Sequence, residues 1–218
     1  MAENFNKIPN GKEIVVAKPS APLTIKRTYK ASQTTRPVSF ITEEEVNRLA
    51  DTARDMREGE RNYLLVLVLF QVALRVSEAV GLHVRDLATV DGKNVLLVIG
   101  KGGKPRLAAI PEKLFYHLGD YARRKRLGPE DRLFPITRVR AWQVVKECAG
   151  RAGIERRVYC HLLRHGGAIA RLRRTGNPKS LQIHLGHSDI KMTMRYLSTT
   201  QVLDSLEIEG GVQFDNRY

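Results

Sequence analysis

The C-terminal third of the chain and two positions upstream carry side chains that could together break a phosphodiester bond. Cleavage without water requires an oxygen nucleophile, cations that compensate the charge on the non-bridging oxygens, and an acid for the leaving 5′ oxygen. Tyrosine can supply the nucleophile, the forked guanidinium of arginine suits phosphate, and lysine or histidine can move protons. The residues that the sequence offers for these tasks are Arg75, Lys101, His161, Arg164, His187 and Tyr196.

These residues occur in short motifs with a definite order along the chain. Arg75 lies in Ala-Leu-Arg-Val-Ser-Glu-Ala-Val-Gly-Leu, Lys101 in Gly-Lys-Gly, His161 opens His-x-x-Arg, and His187 lies in Leu-Gly-His-Ser, nine residues before Tyr196. The motifs and their gaps resemble the tyrosine recombinase (phage integrase) family, from about residue 40 to about residue 200. The resemblance implies the catalytic-domain fold of that family, mostly α-helical with a small antiparallel β-sheet (α+β).

The resemblance also implies a role for each residue. Tyr196 would attack the phosphate and form a 3′-phosphotyrosyl bond, while Arg75 and Arg164 would clamp the phosphate oxygens. Lys101 would protonate the departing 5′ oxygen. The chain would then be a site-specific DNA recombinase, acting in integration, excision, inversion or resolution, with neither a cofactor nor a metal ion.

The histidines admit two interpretations. The resemblance implies that His161 assists proton transfer or holds the phosphate, and that His187 donates a hydrogen bond to a phosphate oxygen. The pairs His161/His165 and His184/His187 also have the spacing at which two ligands on one helix face bind zinc. However, no glutamate follows His161 as in a metalloprotease helix, and the sequence shows neither cysteines at ligand spacing nor an acidic cluster. Metal-free chemistry is therefore the prediction.

Each candidate also has an ordinary structural explanation. Tyr196 alone would be a half-buried core tyrosine, Arg164 a solvated helix cation, and Lys101 the tip of a hairpin. Arg75 follows a long apolar segment, where a charge requires a partner. Glu78, three residues later, could orient Arg75 or merely form a surface pair with it. We favour the orienting role.

Caps and periodicity predict where the folded part begins and how Arg75 is placed. Thr42 and Glu45 form a capping box, so the folded domain is expected to start there. The apolar run from Tyr63 to Leu74 predicts a buried helix that ends just before Arg75.

Turn residues predict the remaining elements. Asp-Gly at 91–92 is a hairpin signal, and β-rich segments at 94–99 and 106–110 flank the glycine-rich turn of Lys101. That turn lacks the Gly-Lys-Ser/Thr of an ATP-binding loop. Helices are predicted after Pro111, after Thr137, from His161 to Arg174, from Pro178 to Gly186, and after Ser188, which is expected to cap the helix of Tyr196.

Composition favours a polyanionic partner. The chain of 218 residues has a formal charge of +14 and a pI near 10.1, and a basic protein gains affinity for nucleic acid by releasing counterions from phosphates. A merely basic protein or a membrane-surface binder remains the alternative on charge alone.

No apolar run approaches the length of a membrane span. Cys148 and Cys160 are too few to indicate a disulfide scaffold, so a reducing, cytoplasmic and nucleoid-associated location in a prokaryotic or viral context is predicted.

The sequence divides into three parts. Residues 1–38 contain four prolines and seven Lys or Arg and are predicted to form a basic, flexible arm. Residues 39–200 are the predicted catalytic domain. Residues 201–218 form a tail, with an apolar stripe and a Gly-Gly hinge, that could be exchanged between subunits. Family members usually carry a separate helical domain that clamps DNA before the catalytic domain, so this chain is a minimal enzyme, a protein whose arm replaces the clamp, or a fragment.

Three functions are compatible with the motifs. A recombinase would bind double-stranded DNA and assemble as a homo-oligomer, with a tetrameric synapse holding two duplexes. A type IB-like DNA topoisomerase would nick and reseal one strand without exchange. A non-catalytic, architectural DNA-binding protein would keep the fold alone, although the complete set of six residues argues against it.

Overall fold

A computed structural model of the chain describes residues 39–211, except for the side chains of Lys101 and of residues 205–211. The predicted arm and the last seven residues of the tail lie outside this description. The helices are α1 (Glu43–Arg54), α2 (Gly59–Leu67), α3 (Val76–Ala79), α4 (Glu112–Arg124), α5 (Arg138–Arg151), α6 (Cys160–Thr175), α7 (Pro178–Leu185) and α8 (Ile190–Gly211). The strands are β1 (Leu87–Val90), β2 (Lys93–Ile99) and β3 (Pro105–Ala109). The predicted fold class, mostly helical with a small antiparallel sheet, is confirmed.

The first helix begins where the sequence predicts. The backbone N–H of Glu45 donates to Thr42 Oγ1 at 3.2 Å, and the backbone N–H of Thr42 donates to Glu45 Oε2 at 2.9 Å. Both bonds satisfy N–H groups that have no partner within the helix. One side of α1 is buried in the core, through Val46, Leu49, Ala50 and Ala53.

The buried helix before Arg75 ends differently from the prediction. It is α-helical only to Leu67, continues as a π-helical turn over Val68–Val72, and is stopped by Ala73, whose backbone is left-handed with φ 56°. A left-handed alanine costs about 1–2 kcal/mol, so other contacts must stabilise it. Side chains from α6 and α7 bind the last carbonyls of this segment: Arg171 binds Phe70, His184 binds Val72 and Arg164 binds Ala73.

The sheet has the order β1-β2-β3 with both pairs antiparallel. Asp91 and Gly92 join β1 to β2 with φ values of 49° and 70°, which is the geometry that Asp-Gly favours in a two-residue hairpin. In the second pair Val98 lies opposite Arg106. The loop of Lys101 joins these two strands, as predicted.

The C-terminal helices begin and end as predicted, with one correction. Gly176 and Gly186 end α6 and α7 in the left-handed conformation, and Asn177 Oδ1 accepts from the backbone N–H of Ser180 at 3.0 Å. Ser188 does not cap α8. The cap is Asp189, whose Oδ1 accepts from the backbone N–H of Lys191 at 2.8 Å, because α8 begins one residue later than predicted.

Two groups of buried apolar side chains hold these elements together. The larger lies between α1, α2, α4, α5 and the sheet. The smaller lies between α6, α7 and α8 and contains Ala73, Ala168, Ile169, Leu172, Leu181, Leu185 and Tyr196. Within residues 39–211, no helix is both long and apolar enough to cross a membrane.

Candidate active site

A single buried carboxylate organises the two predicted arginines. Glu78 lies in α3 and is 6% exposed. Its Oε1 accepts from Arg75 Nη1 at 2.9 Å, its Oε2 accepts from the backbone N–H of Arg75 at 2.8 Å, and Arg164 Nη1 lies 3.7 Å from Oε2. A surface pair would leave both side chains in solvent. Glu78 therefore holds both arginines by hydrogen bonding and charge, and for Arg75 this is the orienting role that we favoured from the sequence.

A third arginine, which the sequence interpretation missed, shares this carboxylate. Arg106 in β3 donates from Nη1 and Nη2 to the two oxygens of Glu78 at 3.0 Å each, and its Nε donates to the carbonyl of His184 at 3.1 Å. Arg106 lies on the same face of β3 as buried Ala108. An arginine on the core side of a strand needs a partner. The position of Arg106 in the alternating strand pattern could therefore have indicated a buried ion pair.

Charge in this cluster is unbalanced. Burial raises the pKa of Glu78, but hydrogen bonds from Arg106 and Arg75 outweigh it and hold that pKa below its ordinary value. Three guanidinium groups thus surround one ionised carboxylate, which leaves two uncompensated positive charges. Such a site favours an anion, and forked guanidinium donors suit the oxygens of a phosphodiester.

Arg164 is built into the protein interior. It is 1% exposed, and it donates to the carbonyl of Ala73 at 2.5 Å and to that of Leu185 at 2.9 Å. Burial, and then the charge of Arg75, lower its pKa to about 10, so it stays protonated at neutral pH. The alternative of a solvated helix cation is wrong, because α6 directs this side chain between the left-handed turn and the end of α7.

His187 connects the arginines to the tyrosine. It is 7% exposed; its Nε2 lies 3.3 Å from Arg164 Nη2 and its Nδ1 lies 2.9 Å from Thr193 Oγ1. Arginine can only donate, so Nε2 accepts and the ring proton resides on Nδ1. Burial, followed by the charge of Arg164, lowers the pKa of His187 to about 4. Donation from Nε2 to a phosphate would therefore require a change of tautomer, with Thr193 then donating to Nδ1.

Tyr196 lies within the same cluster. It is 4% exposed, its ring stacks on His187 with centroids 6.2 Å apart, and its hydroxyl lies 2.7 Å from His165 Nδ1. Burial raises the pKa of Tyr196, while the charges of Arg164 and Arg75 oppose this. Tyr196 is thus a core tyrosine in its packing and also has its hydroxyl beside titratable and cationic groups.

His161 and Lys101 are the two remaining predicted residues. His161 is exposed and its ring contacts His165 edge-on, at 4.5 Å between centroids. Burial, then Arg164 and Arg75, lower the pKa of His161. The backbone of Lys101 begins a 3-10 turn that ends at Gly103, but its side chain lies outside the described part. The structure therefore brings together five of the six predicted side chains.

The zinc interpretation gains no support from the described residues. Within them, no three His, Cys, Asp or Glu side chains gather in a way that could hold a metal ion. The paired histidines have other partners: His165 contacts the tyrosine, and His184 Nε2 donates to the carbonyl of Val72 at 2.8 Å.

Comparison with known proteins identifies the family of the chain. The sequence model of the phage integrase family matches residues 39–201. The tyrosine recombinase XerD of Shewanella oneidensis is 34% identical over 168 residues, which cover 72% of this chain and 55% of that protein. The chain thus spans about half the length of this curated relative.

Solved structures show the same fold. The catalytic domain of bacteriophage HP1 integrase superposes with a TM-score of 0.59 at 28% identity, over 77% of this chain and 92% of that one. The XerH site-specific recombinase, in a pre-cleavage complex with difH substrate, superposes with a TM-score of 0.64 at 22% identity, over 78% of this chain and 52% of that one. The motifs, the fold and the extent of the match together show that the chain belongs to the phage integrase family of tyrosine recombinases.

Proposed function

We propose that this chain is a site-specific DNA recombinase that cleaves and rejoins DNA through a 3′-phosphotyrosyl intermediate. The observation that carries the proposal is the chain of direct contacts that links the arginines to the tyrosine. Arg164 contacts His187, and His187 stacks on Tyr196. A phosphate bound between Arg75 and Arg164 would then lie close to the phenol.

The chemistry follows from what these side chains can do. The arginines would neutralise charge on the non-bridging oxygens, which is preorganised stabilisation because Glu78 already fixes them. Tyr196 Oη would form a bond to phosphorus, and the bond to the 5′ oxygen would break. Lys101 would give that oxygen a proton. The phosphotyrosyl bond retains the phosphodiester linkage, so rejoining needs no external energy source.

Double-stranded DNA and further copies of this chain are the proposed partners. A net charge of +14 favours DNA, and XerH is a relative of known structure bound to its substrate. Recombination between two duplexes would require a tetrameric synapse, which would form on DNA in the cytoplasm of a prokaryotic cell. The resemblance to named recombinases favours this activity over a type IB-like topoisomerase or a non-catalytic architectural protein.

The test is covalent capture on nicked duplexes of randomised sequence, since the target sequence is not known. A nick near the cleavage point lets the short 5′-hydroxyl strand diffuse away and traps the adduct. We expect a protein–DNA adduct that forms in excess EDTA. Tyr196→Phe should bind DNA but form no adduct, because the change deletes only the hydroxyl, whereas Tyr159→Phe should behave as wild type. An adduct that survives Tyr196→Phe would reject the assignment, and loss of activity with EDTA would reject the metal-free mechanism.

A further inference from the structure

The hydroxyl of Tyr196 has a specific partner that none of the six predicted residues provides. His165 Nδ1 lies 2.7 Å from Tyr196 Oη, and the two ring centroids are 5.5 Å apart at an interplanar angle of 55°. His165 follows Arg164 directly in α6 and is half-buried. A rigid helix therefore holds this nitrogen within hydrogen-bond reach of the proposed nucleophile.

We propose that His165 is a catalytic residue, the general base that accepts the proton of Tyr196 during DNA cleavage. This inference rests on the proposed function. A tyrosine that attacks phosphorus must lose its proton, and a base within direct hydrogen-bond distance of the hydroxyl can take it. The phenol would be the donor and Nδ1 the acceptor, with the ring proton of His165 on Nε2.

The ionisation states leave His165 able to accept a proton and Tyr196 able to donate one. Burial, and then the neighbouring His161, Arg164 and His187, lower the pKa of His165 to about 4, so the ring is neutral at neutral pH and has a free lone pair. Burial raises the pKa of Tyr196, so the phenol keeps its proton until the reaction. Arrival of the negatively charged phosphate would favour a positive charge on His165.

The other two histidines are less well placed for this role. His187 presents the face of its ring to Tyr196, while its nitrogens face Arg164 and Thr193. The ring contact described for His161 is with His165, edge-on at 4.5 Å between centroids. Among the described side chains, His165 therefore has the geometry of the base.

Protons balance over the two halves of the reaction. In cleavage, the proton of Tyr196 moves to His165 Nδ1, the bond from Oη to phosphorus forms, and the bond to the 5′ oxygen breaks. That oxygen takes a proton from Lys101, which leaves a neutral amine and an imidazolium. Rejoining runs in reverse: the 5′ hydroxyl returns its proton to Lys101 and attacks, and the departing phenolate recovers its proton from His165.

A first test needs no DNA. The ¹⁵N chemical shifts of the histidine ring in the full chain distinguish a bare nitrogen from a protonated one. We expect the Nε2–H tautomer of His165 with a bare, hydrogen-bonded Nδ1, and Tyr196→Phe should shift that Nδ1 signal. A proton on Nδ1 in the neutral ring would overturn the proposal.

A second test separates proton transfer from positioning. His165→Asn keeps a hydrogen-bonding atom near Nδ1 but cannot accept a proton, so cleavage of nicked duplexes should slow by about 10²–10⁴-fold. Difluorotyrosine at position 196, whose phenol ionises more readily, should recover most of this loss in His165→Asn and change the wild-type rate far less. Thermal unfolding of His165→Asn checks that the variant folds.

The outcomes are distinguishable. Near-normal cleavage by His165→Asn, or a loss that difluorotyrosine leaves unchanged, would show that His165 only positions the ring and would overturn its role as a base. An adduct that persists in Tyr196→Phe would instead reject the proposed function itself.

Discussion

Glu78 is the residue on which the arginine cluster depends. One carboxylate contacts Arg75, Arg106 and Arg164, which come from three different elements. A buried ion pair is weak evidence for stability, but removing one partner leaves an uncompensated buried charge. Glu78 therefore affects both the positions of the arginines proposed to be catalytic and the free energy of unfolding.

Glu78→Gln should lower the free energy of unfolding by about 3–5 kcal/mol, because it leaves Arg164 and Arg106 buried without a counter-charge. Urea unfolding measures the change. Glu130→Gln is the matched control: Glu130 pairs with Arg85 at the surface, where a pair contributes about 0–1 kcal/mol. Equal effects of the two substitutions would contradict the structural role of Glu78.

Histidine burial should make stability fall in mild acid. The pKa of His184 is lowered to about 4, by burial first and then by Arg171. The unfolded chain binds a proton near the ordinary histidine pKa, about 6.5, whereas the folded chain does not until about pH 4. Stability is therefore lost as pH falls through this window, by at most about 1.4 kcal/mol per pH unit for each such histidine.

His184→Gln tests this pH dependence. Glutamine can place an N–H where His184 Nε2 donates to Val72, but it does not titrate. Urea unfolding from pH 7 to pH 4 should show a shallower decline in stability for the variant than for wild type. Identical slopes for the variant and the wild-type protein would refute a buried neutral His184.

At the level of elements, the site is positioned by close packing of α6 against the π-helical turn that follows α2. A Cβ added at Gly167 would lie 1.9 Å from the carbonyl oxygen of Phe70. The two backbones are therefore too close to leave room for a side chain at position 167. This contact lies within the π-helical turn Val68–Val72, three residues before the left-handed Ala73. It holds α6, and with it Arg164, against the turn that precedes Arg75.

Gly167→Ala should destabilise the protein by more than about 3 kcal/mol and reduce DNA cleavage, because α6 must move away from Phe70. Gly119→Ala in α4 is the control: no atom lies within 4 Å of its added Cβ, so it should stabilise by about 0.5–1 kcal/mol. Thermal and urea unfolding compare the two. A neutral Gly167→Ala would mean that the backbone contact is not required.

Local chemistry made much of this arrangement predictable. The Thr42 cap, the Asp-Gly hairpin and the glycine ends of α6 and α7 depend on residues within a few positions of one another, so sequence reveals them. The bonds of Arg106 to Glu78 and of His165 to Tyr196 join residues 28 and 31 positions apart. Those bonds, and the π-helical turn, depend on how the helices pack against one another. The spacing of apolar residues along the chain does not reveal that packing.

At the level of the whole molecule, α8 joins Tyr196, the proposed nucleophile, to the C-terminal tail. The helix runs without interruption from Ile190 to Gly211, through the Gly-Gly pair that the sequence predicted as a hinge. A glycine inside a helix destabilises it by about 1 kcal/mol relative to alanine. Here both glycines lie in the last turn of a 22-residue helix. The tail therefore begins as an extension of the helix that carries Tyr196.

Within the described part, this helix is attached to its own domain as far as Asp204. Asp204 Oδ1 lies 3.4 Å from Arg173 Nη2 of α6, and Tyr196 and Leu197 pack in the smaller apolar cluster. The sequence places Leu206 and Ile208 beyond that point, in line with the apolar spacing of Leu203. The sequence predicted an exchanged tail of residues 201–218. Because Asp204 contacts its own domain, we propose that the remainder, residues 205–218, docks on a neighbouring subunit, which would couple the position of Tyr196 to assembly.

Deleting residues 205–218 should leave binding to a single half-site unchanged, because Tyr196, Asp204 and the arginine cluster remain. Cooperative complexes on a full site should be lost, since the segment proposed to contact the neighbouring subunit is gone. Gel-shift titrations on half and full sites, selected for binding from random duplexes, measure both quantities. Deletion of residues 215–218 alone is the control for shortening the chain and should retain cooperativity. Full cooperativity after removal of 205–218 would show that the tail belongs to its own domain.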